Sequence, residues 1–591
     1  MELALLDCAT NKLVLSPMND KVEVFYFSTF DSSTHESDEL TLSFKVGPFS
    51  EQLNRFVQIG ELHICESNQS FSIRPNGKLW RIDLDSSNQS HSLLSIELDM
   101  DAIAAFADNL KRQNSVWKKD CYSVAFNSMF REYDVRGHVS DEELNDTNVY
   151  RIVKAYGYYL ERHGIKRVIV GYDNRKCSPG FADASIKALT ELGIDVVFVG
   201  LSLSPVVYYA QYRYKCEGAC MITASHNPSG WSGFKFAKGY SKTLESGDIR
   251  ELYELLDYQD DVTRVSGLVT VCDVRDDYIN EVVSRIHMGS NLPRLVIDAG
   301  NGGAGVFAYE LFQRLGCMTF QLHCDPDDNY PNYFPNPSDI QSRTRMKQMI
   351  LHPYVHADLG ISFDGDGDRI GVIDNKGENI WSDVILAVLA KQLLTNKKGA
   401  KVVFDVKCSQ TLTEVVESNG GIPIMWKTGH SYIKAKMHEI NAELAGERSG
   451  HIFVGGDDYF GFDDALFVAA KLVEFLSNQE KTISEIVDEF PRYITSPEIK
   501  AYCADDVKYV IVEEIVEAFK KAYPGRVNDI NGARVQFDHG WGLIRASSNL
   551  PELVIIFEAD TMEHLLEIRA VLKEMTSKYK EISKDWENDN Y

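Results

Sequence analysis

The chain has 591 residues, with 61 basic against 87 acidic side chains and a formal net charge of −26. That length calls for several domains, and the charge argues against nucleic acid or an anionic membrane as a partner. The start Met1-Glu2-Leu3-Ala4 lacks the basic, then long apolar, pattern of a signal peptide, and the apolar run 384–390 is too short to cross a bilayer. Eleven cysteines without a CxxC pair fit reduced thiols, so a cytoplasmic location is expected.

Residues 1–115 show strand-like alternation at 22–24, 40–44 and 95–98, a helical stretch at 101–112, and polar turns at 31–39 and 85–91. They read as a mostly β accessory domain, joined to the rest through 113–119. A dimerisation, regulatory or docking module would all look like this, and a homo-oligomer formed through it is one expected partner. Thereafter the pattern strand, loop, helix, glycine stop, strand recurs three times, from Val168-Ile169-Val170-Gly171, Leu295-Val296-Ile297-Asp298 and Val402-Val403-Phe404-Asp405. Short apolar strands alternating with amphipathic helices predict three similar α/β domains, at 123–275, 276–380 and 381–492. The second copy contains Gly300-Asn301-Gly302-Gly303-Ala304-Gly305, which alone would fit a dinucleotide-dependent oxidoreductase, but no residues for hydride transfer accompany it. The stretch 493–591 reads as an α+β domain, with helical runs at 507–523 and 562–579 around strands at 534–538, 541–546 and 553–558.

Chemistry concentrates in two motifs. In Thr223-Ala224-Ser225-His226-Asn227-Pro228 a serine sits on a turn that Pro228 and Gly230 make non-helical, with His226 adjacent and Lys235 ten residues on. Such a hydroxyl, held out toward solvent or substrate, can be a nucleophile or a phosphoryl carrier; an ordinary polar loop is the plainer alternative. Downstream, Asp364-Gly365-Asp366-Gly367-Asp368-Arg369 follows the apolar Leu359, Ile361 and Phe363. The alternating glycines let the backbone curl so that three carboxylates converge, an all-oxygen set suited to Mg²⁺ or Mn²⁺. A calcium loop fails because its sixth and twelfth positions hold Arg369 and Asn375 rather than Gly and Glu; a solvated acidic turn is the rival. Cys216 and Cys220 lack a second pair to complete a zinc site and read as buried thiols.

Four further motifs lie in order around these two: Phe130-Arg131-Glu132-Tyr133-Asp134-Val135-Arg136-Gly137, Lys427-Thr428-Gly429-His430, Gly446-Glu447-Arg448-Ser449-Gly450-His451, and Arg545-Ala546-Ser547-Ser548-Asn549-Leu550-Pro551. Together the six closely resemble the α-D-phosphohexomutase family, in its phosphomannomutase/phosphoglucomutase branch, from Phe130 to Asp560. The resemblance implies interconversion of hexose 1-phosphate and hexose 6-phosphate, of mannose, glucose or both. Ser225 would be stored as phosphoserine, with Mg²⁺ held by Asp364, Asp366, Asp368 and an oxygen on Ser225. A hexose 1,6-bisphosphate would be both intermediate and activator, turning over between half-reactions.

The same resemblance makes Lys235 the base, its pKa expected to fall toward neutrality beside the metal and Arg369, and His430 the acid or base of the other half-reaction. Tyr133, Arg136, His226 and Lys407 would complete the wall around the phosphoserine, although Lys407 reads almost as well as a plain surface lysine. Gly429, Glu447 and Ser449 belong to the implied sugar loops, the last two reading the O3 and O4 hydroxyls that glucose and mannose share. Arg545, Ser547, Ser548 and Asn549 would cradle the phosphate that is not being transferred, with Ser548 and Asn549 standing where the family usually has Asn and Thr. A phosphoserine-dependent phosphomonoesterase would not need that second cradle. A phosphoglucosamine mutase usually carries Gln after the Glu and Ser-Gly-Thr in the phosphate loop, and both are absent. A catalytically silent binding protein would not need Ser225, Lys235 and three aspartates intact.

Overall fold

The structure, a computed structural model, describes residues 129–588 except Asp261, Thr263, Ser338 and Asn549, together with seven short strands between Leu6 and Ile96 as backbone. The alternations expected near the N-terminus overlap the strands Lys21–Ser28, Leu40–Leu42 and Leu93–Ile96. The helical stretch expected at 101–112 lies outside the described residues.

Three α/β units follow, as the repeat implied. The first sheet runs, in spatial order, through Leu6–Asp7, Lys21–Ser28, Val269–Val271, Asp195–Leu201, Arg167–Tyr172, Gly218–Ile222, Trp231–Lys238 and Val135–His138. Leu13–Met18 also pairs with Lys21–Ser28, so strands from the stretch read as an accessory domain extend the first unit's sheet. Its centre is parallel, and Trp231–Lys238 is antiparallel to both neighbours. The covering helices follow from sequence. In Asp146–Arg162, Asn145 accepts from the Asn148 amide at the N-cap, and Val149, Ile152, Val153, Tyr156 and Leu160 bury one face at helical spacing. The second sheet has the order Met318–Leu322, Arg294–Asp298, Leu359–Phe363, Ile370–Asp374, Asn379–Ile380. The third has Ile422–Trp426, Lys401–Asp405, Leu444–Gly446, Ile452–Val454.

The fourth unit is α+β, with helices Lys508–Ala522 and Met562–Thr576 against a sheet centred on Gly540–Ala546 and Glu552–Ala559. One continuous apolar core runs from Ile169 through Phe312 and Leu386 to Phe490 and joins the first three units. The fourth has a core of its own and meets the third at a small patch of Val406 against Trp541, Leu543, Val554 and Ile556. It is therefore the unit least tied to the others.

A single device repeats in all four units. A strand turns back on an antiparallel neighbour, and the loop of that hairpin carries polar groups. The loops are 223–230, 364–369, 447–451 and 547–551. Each of them contains one of the motifs singled out in the sequence.

Candidate active site

Strand Gly218–Ile222 delivers Ser225 just past its end, and its antiparallel partner sets Lys235 opposite Met221, one pair from that end. Ser225 has φ 51°, a left-handed backbone that a serine keeps only when it is held there. Arg175 holds it: the fully buried guanidinium donates to the carbonyl oxygens of Ser225 (3.1 Å), Asn227 (2.6 Å), Pro228 (2.7 Å) and Trp231 (3.1 Å), and pairs with Asp173. Arg136 pins the turn from the other side, donating to the Ala224 carbonyl at 3.2 Å, Asn227 Oδ1 at 2.9 Å and Asp134 at 2.7 Å.

Ser225 is 1% exposed, which corrects the expectation of a hydroxyl held out toward solvent. The Asp364–Arg369 loop lies over it, so close that a Cβ on Gly365 would stand 2.5 Å from the Ser225 carbonyl oxygen. The Ser225 hydroxyl donates to Asp364 Oδ2 at 2.8 Å, with His226 Nδ1 3.1 Å away. Burial first, then the charges of Arg369 and Arg136, keep the His226 imidazole neutral. The glycine run 300–305 is the seat of this acidic loop and not a nucleotide cradle. The Gly303 amide donates to the Gly365 carbonyl at 3.1 Å, and a Cβ on Gly302 would meet Gly365 Cα at 2.9 Å.

Asp364, Asp366 and Asp368 are wholly buried, and one oxygen of each lies within 4.8 Å of the others. Lys235 Nζ donates to Asp366 Oδ2 at 2.6 Å and to Asp368 Oδ2, and Ser204 Oγ donates to Asp366 at 2.5 Å. One ammonium among three carboxylates leaves charge over. Burial, then Asp368 and Asp366, push the Asp364 carboxyl well above its usual range. The Oδ1 atoms of Asp366 and Asp368 are buried without a hydrogen-bond partner. Buried oxygens with surplus negative charge fit a hard divalent cation. Among these carboxylates alone, burial lowers the Lys235 pKa, but Asp366 and Asp368 outweigh that and hold it well above the ordinary lysine value. Its nearest charges are carboxylates, not Arg369.

The third unit's loop is stitched to the acidic loop. The Ile370 amide donates to the Gly450 carbonyl at 3.1 Å, and Arg369 Nε donates to His451 Nε2 at 2.9 Å. Glu447 is buried, takes the Gly429 amide on Oε1 and the Ser449 hydroxyl on Oε2 at 3.3 Å, and is raised by burial. Gly429 has φ 129°, and a Cβ there would press on the Tyr133 ring at 3.1 Å, so glycine is required on both counts. His430 opens the helix His430–Ile440, meets Tyr133 edge-on at 4.9 Å and stacks on His451 at 5.3 Å. Burial and then Lys434 keep it neutral, and neither ring nitrogen has a hydrogen-bond partner. Such a ring can take or give one proton.

Lys407 is buried and donates to Glu498 Oε2 at 3.1 Å, which excludes the surface-lysine reading and joins the third unit to the fourth. That lysine holds the Glu498 carboxyl down at about 2. Arg545 ends strand Gly540–Ala546; Nη2 donates to Ser548 Oγ at 3.2 Å, and Nε is buried without a partner. Ser547 Oγ accepts the Leu550 amide at 3.3 Å, and Asn549 lies outside the described residues. Tyr509 donates to Glu132 at 3.2 Å, bringing the fourth unit against the opening motif of the first.

Contacts thus join the expected residues of the first three units, the Arg545–Ser548 loop lies on the fourth, and Arg175, Lys508, His451 and Asp463 emerge as further residues to which the sequence reading assigns no role. Arg175 sculpts the serine turn. Lys508 shapes the phosphate loop by donating to the Ser547 and Leu550 carbonyls. His451 was quoted in its motif without a role. Its Nδ1 lies 3.0 Å from Asp463 Oδ2 and 3.7 Å from Asp368 Oδ1, and Asp463 also takes Lys434 at 3.1 Å. Cys216 and Cys220 are buried free thiols, as expected.

Comparison with known proteins agrees with this geometry. The Phosphoglucomutase/phosphomannomutase family models for alpha/beta/alpha domains I, II and III and the C-terminal domain match residues 127–262, 276–377, 381–493 and 498–575. A phosphomannomutase/phosphoglucomutase of Pseudomonas aeruginosa is 39% identical over 447 residues, covering 76% of this chain and 95% of that one. A phosphoglucomutase of Neisseria gonorrhoeae is 37% identical, covering 73% and 93%. The crystal structure of a phosphoglucomutase/phosphomannomutase family protein from Burkholderia thailandensis superposes with a TM-score of 0.71 at 33% identity, over 77% of this chain and 98% of that one. The chain belongs to the phosphoglucomutase/phosphomannomutase family of α-D-phosphohexomutases.

Proposed function

We propose that the protein moves a phosphoryl group between the 1- and 6-hydroxyls of glucose and mannose phosphates, through a phosphoserine at Ser225 and a hexose 1,6-bisphosphate that turns over in the cleft. The observation that carries this reading is a pair of sites: a buried serine hydroxyl 2.8 Å from Asp364, and a separate anion loop at Arg545–Ser548 on another unit. A one-step phosphatase needs only the first.

Asp364, Asp366 and Asp368, with an oxygen on Ser225, would hold Mg²⁺, which when bound neutralises charge on the transferring group. The chain's own residues do the rest. Arg175 and Arg136 fix Ser225 in its strained turn, so the nucleophile is set before substrate arrives. Lys235, charged and buried, sits where negative charge gathers in the transition state, and takes the sugar hydroxyl's proton only after losing its own. His430, neutral and without a hydrogen bond at either nitrogen, its Nδ1 3.6 Å from Asp463 Oδ2, would be placed for proton transfer in the opposite half-reaction. Glu447 and Ser449 accept from and donate to adjacent sugar hydroxyls, while Arg545, Ser547, Ser548 and Asn549 hold the idle phosphate. Sugar contacts confined to hydroxyls common to both hexoses give dual specificity.

The described residues contain no helix long and apolar enough to cross a membrane; the free thiols among them are what supports the proposal of action in the reducing cytoplasm. The test is a coupled assay with glucose 1-phosphate and mannose 1-phosphate, with and without glucose 1,6-bisphosphate. Turnover of both, rising with the bisphosphate, is expected. Release of inorganic phosphate without isomerised sugar would overturn the reading.

A further inference from the structure

Two of the donor clusters among the described residues, around Asp364 and around Asp463, belong to the active site. A third does not: His539, Asp560 and His564, whose donor atoms lie within 4.8 Å of one another. His539 sits in the turn before strand Gly540–Ala546, Asp560 directly follows Glu552–Ala559, and His564 is in the first turn of helix Met562–Thr576. The phosphate loop is at the other end of this same hairpin, six residue steps from the Gly540–Ala559 pair, or about 20 Å along the strands.

Backbone structure brings the three together. The Asp560 amide donates to the His539 carbonyl at 3.1 Å, and Thr561 caps the helix by accepting the His564 amide at 3.3 Å. The two imidazoles lie parallel, 3.9 Å apart at 7°, and turn the same edge to one carboxylate. His564 Nδ1 is 2.5 Å from Asp560 Oδ1, and His539 Nδ1 is 3.3 Å from Oδ2. Two imidazole nitrogens and a carboxylate, with side chains 53% (His539), 28% (His564) and 43% (Asp560) exposed, are three protein ligands with a side open to solvent. A tetrahedral ion with bonds of about 2.0–2.1 Å needs donors about 3.3 Å apart; His539 and Asp560 are already at that separation, and the hydrogen-bonded His564 would move out from 2.5 Å as the ion replaces the proton.

We propose that His539, Asp560 and His564 form a second, Zn²⁺-class metal site that clasps the far end of the fourth unit's hairpin to its helix. Nitrogen donors favour zinc and its neighbours over magnesium, so the two sites of the molecule differ in metal as well as in place. The ion would displace the proton between Asp560 and the His564 ring, and water would complete its shell. It would stabilise the fourth unit without touching the chemistry.

The test is zinc titration of the full-length protein in saturating Mg²⁺, by calorimetry and by thermal melting, with Co²⁺ absorption as a readout of four-coordinate geometry. One zinc equivalent and a raised melting temperature are expected in the wild type. His539→Ala and His564→Ala should each weaken binding by at least about 10-fold, abolish the melting shift, and leave Mg²⁺-supported turnover unchanged. Absence of zinc uptake by the Mg²⁺-saturated wild type would overturn the proposal. So would uptake undiminished in both histidine variants, or uptake lost only in Asp366→Asn, which would put the ion at the active site.

Discussion

At the junction of the first two units the groups are buried and tied to one another, Ser225 on Asp364, Lys235 on Asp366 and Asp368, and Arg175 on four carbonyls, with only Oδ1 of Asp366 and of Asp368 left for a cation. At the hairpin loop of the fourth unit, Arg545 Nε has no partner and Ser548 is only half-buried. The first region is joined by a core shared among three units, the second rests on a core of its own with one small patch to the third. On the proposed reaction the contrast follows from what each would do. A transferring phosphoryl group is stabilised by fixed charges in a dry site. An idle phosphate that is bound in two orientations is better served by an open anion loop on a unit able to shift.

Breaking the first region should cost most. Asp366→Asn removes an oxygen donor and a Lys235 partner together, so turnover should fall on the order of 10²–10³-fold, and chelation of divalent ions should do the same. Steady-state rates with and without added Mg²⁺ check this; normal turnover in the variant would detach the acidic cluster from catalysis. Gly365→Ala probes fit rather than charge. Its Cβ would stand 2.5 Å from the Ser225 carbonyl, whereas Gly230→Ala, on the same serine turn, meets nothing within 4 Å. Overpacking of about 1–3 kcal/mol should cost Gly365→Ala roughly 10–100-fold in rate. Gly230→Ala pays only for its positive φ, and equal effects of the two would show that the loops do not need close contact.

Arg545→Ala sharpens the comparison from the other side. Loss of a charge-assisted contact worth about 1.5–3 kcal/mol predicts a fall of roughly 10–100-fold in kcat/KM, alike for both sugars, with more free bisphosphate released. A loss confined to one sugar would mean that the loop reads the hexose and not the phosphate.

The smallest effect concerns the Lys407–Glu498 link between the third and fourth units. Lys407 depresses the Glu498 carboxyl from 4.5 to about 2, so its stabilising contribution is whole above pH 4.5 and is lost as pH falls toward about 2. With Glu498 37% exposed on its side chain, the gain is no more than about 1 kcal/mol. Melting temperatures of wild type and Glu498→Gln should therefore differ slightly at neutral pH and converge in acid; a gap that widens in acid would reverse the sign.

The parts legible in the sequence were contiguous ones. Strand, loop and helix follow one another locally, and each hairpin loop carries its groups within a few residues, as in Asp364 to Arg369. Arg175, Lys508 and Glu498 were not legible, because each acts on a segment brought near by packing, 50 residues away for Arg175 and Ser225, 39 for Lys508 and Ser547, and 91 for Lys407 and Glu498. The burial of Ser225 was missed for the same reason: Pro228 and Gly230 set the turn, but what covers it is Gly365, 140 positions on in another unit. That Asp366 and Asp368 are the groups holding Lys235 was not legible either, since they lie 131 and 133 positions on.

The central claim, that Ser225 carries the phosphoryl group that moves, is tested most directly by phosphopeptide mapping after incubation with a hexose 1,6-bisphosphate and then with excess hexose 1-phosphate. One phosphate on Ser225, discharged by the monophosphate and absent from Ser225→Ala with turnover lost by about 10³-fold or more, is the expected result. A phosphate on another residue that discharges normally in Ser225→Ala would contradict it.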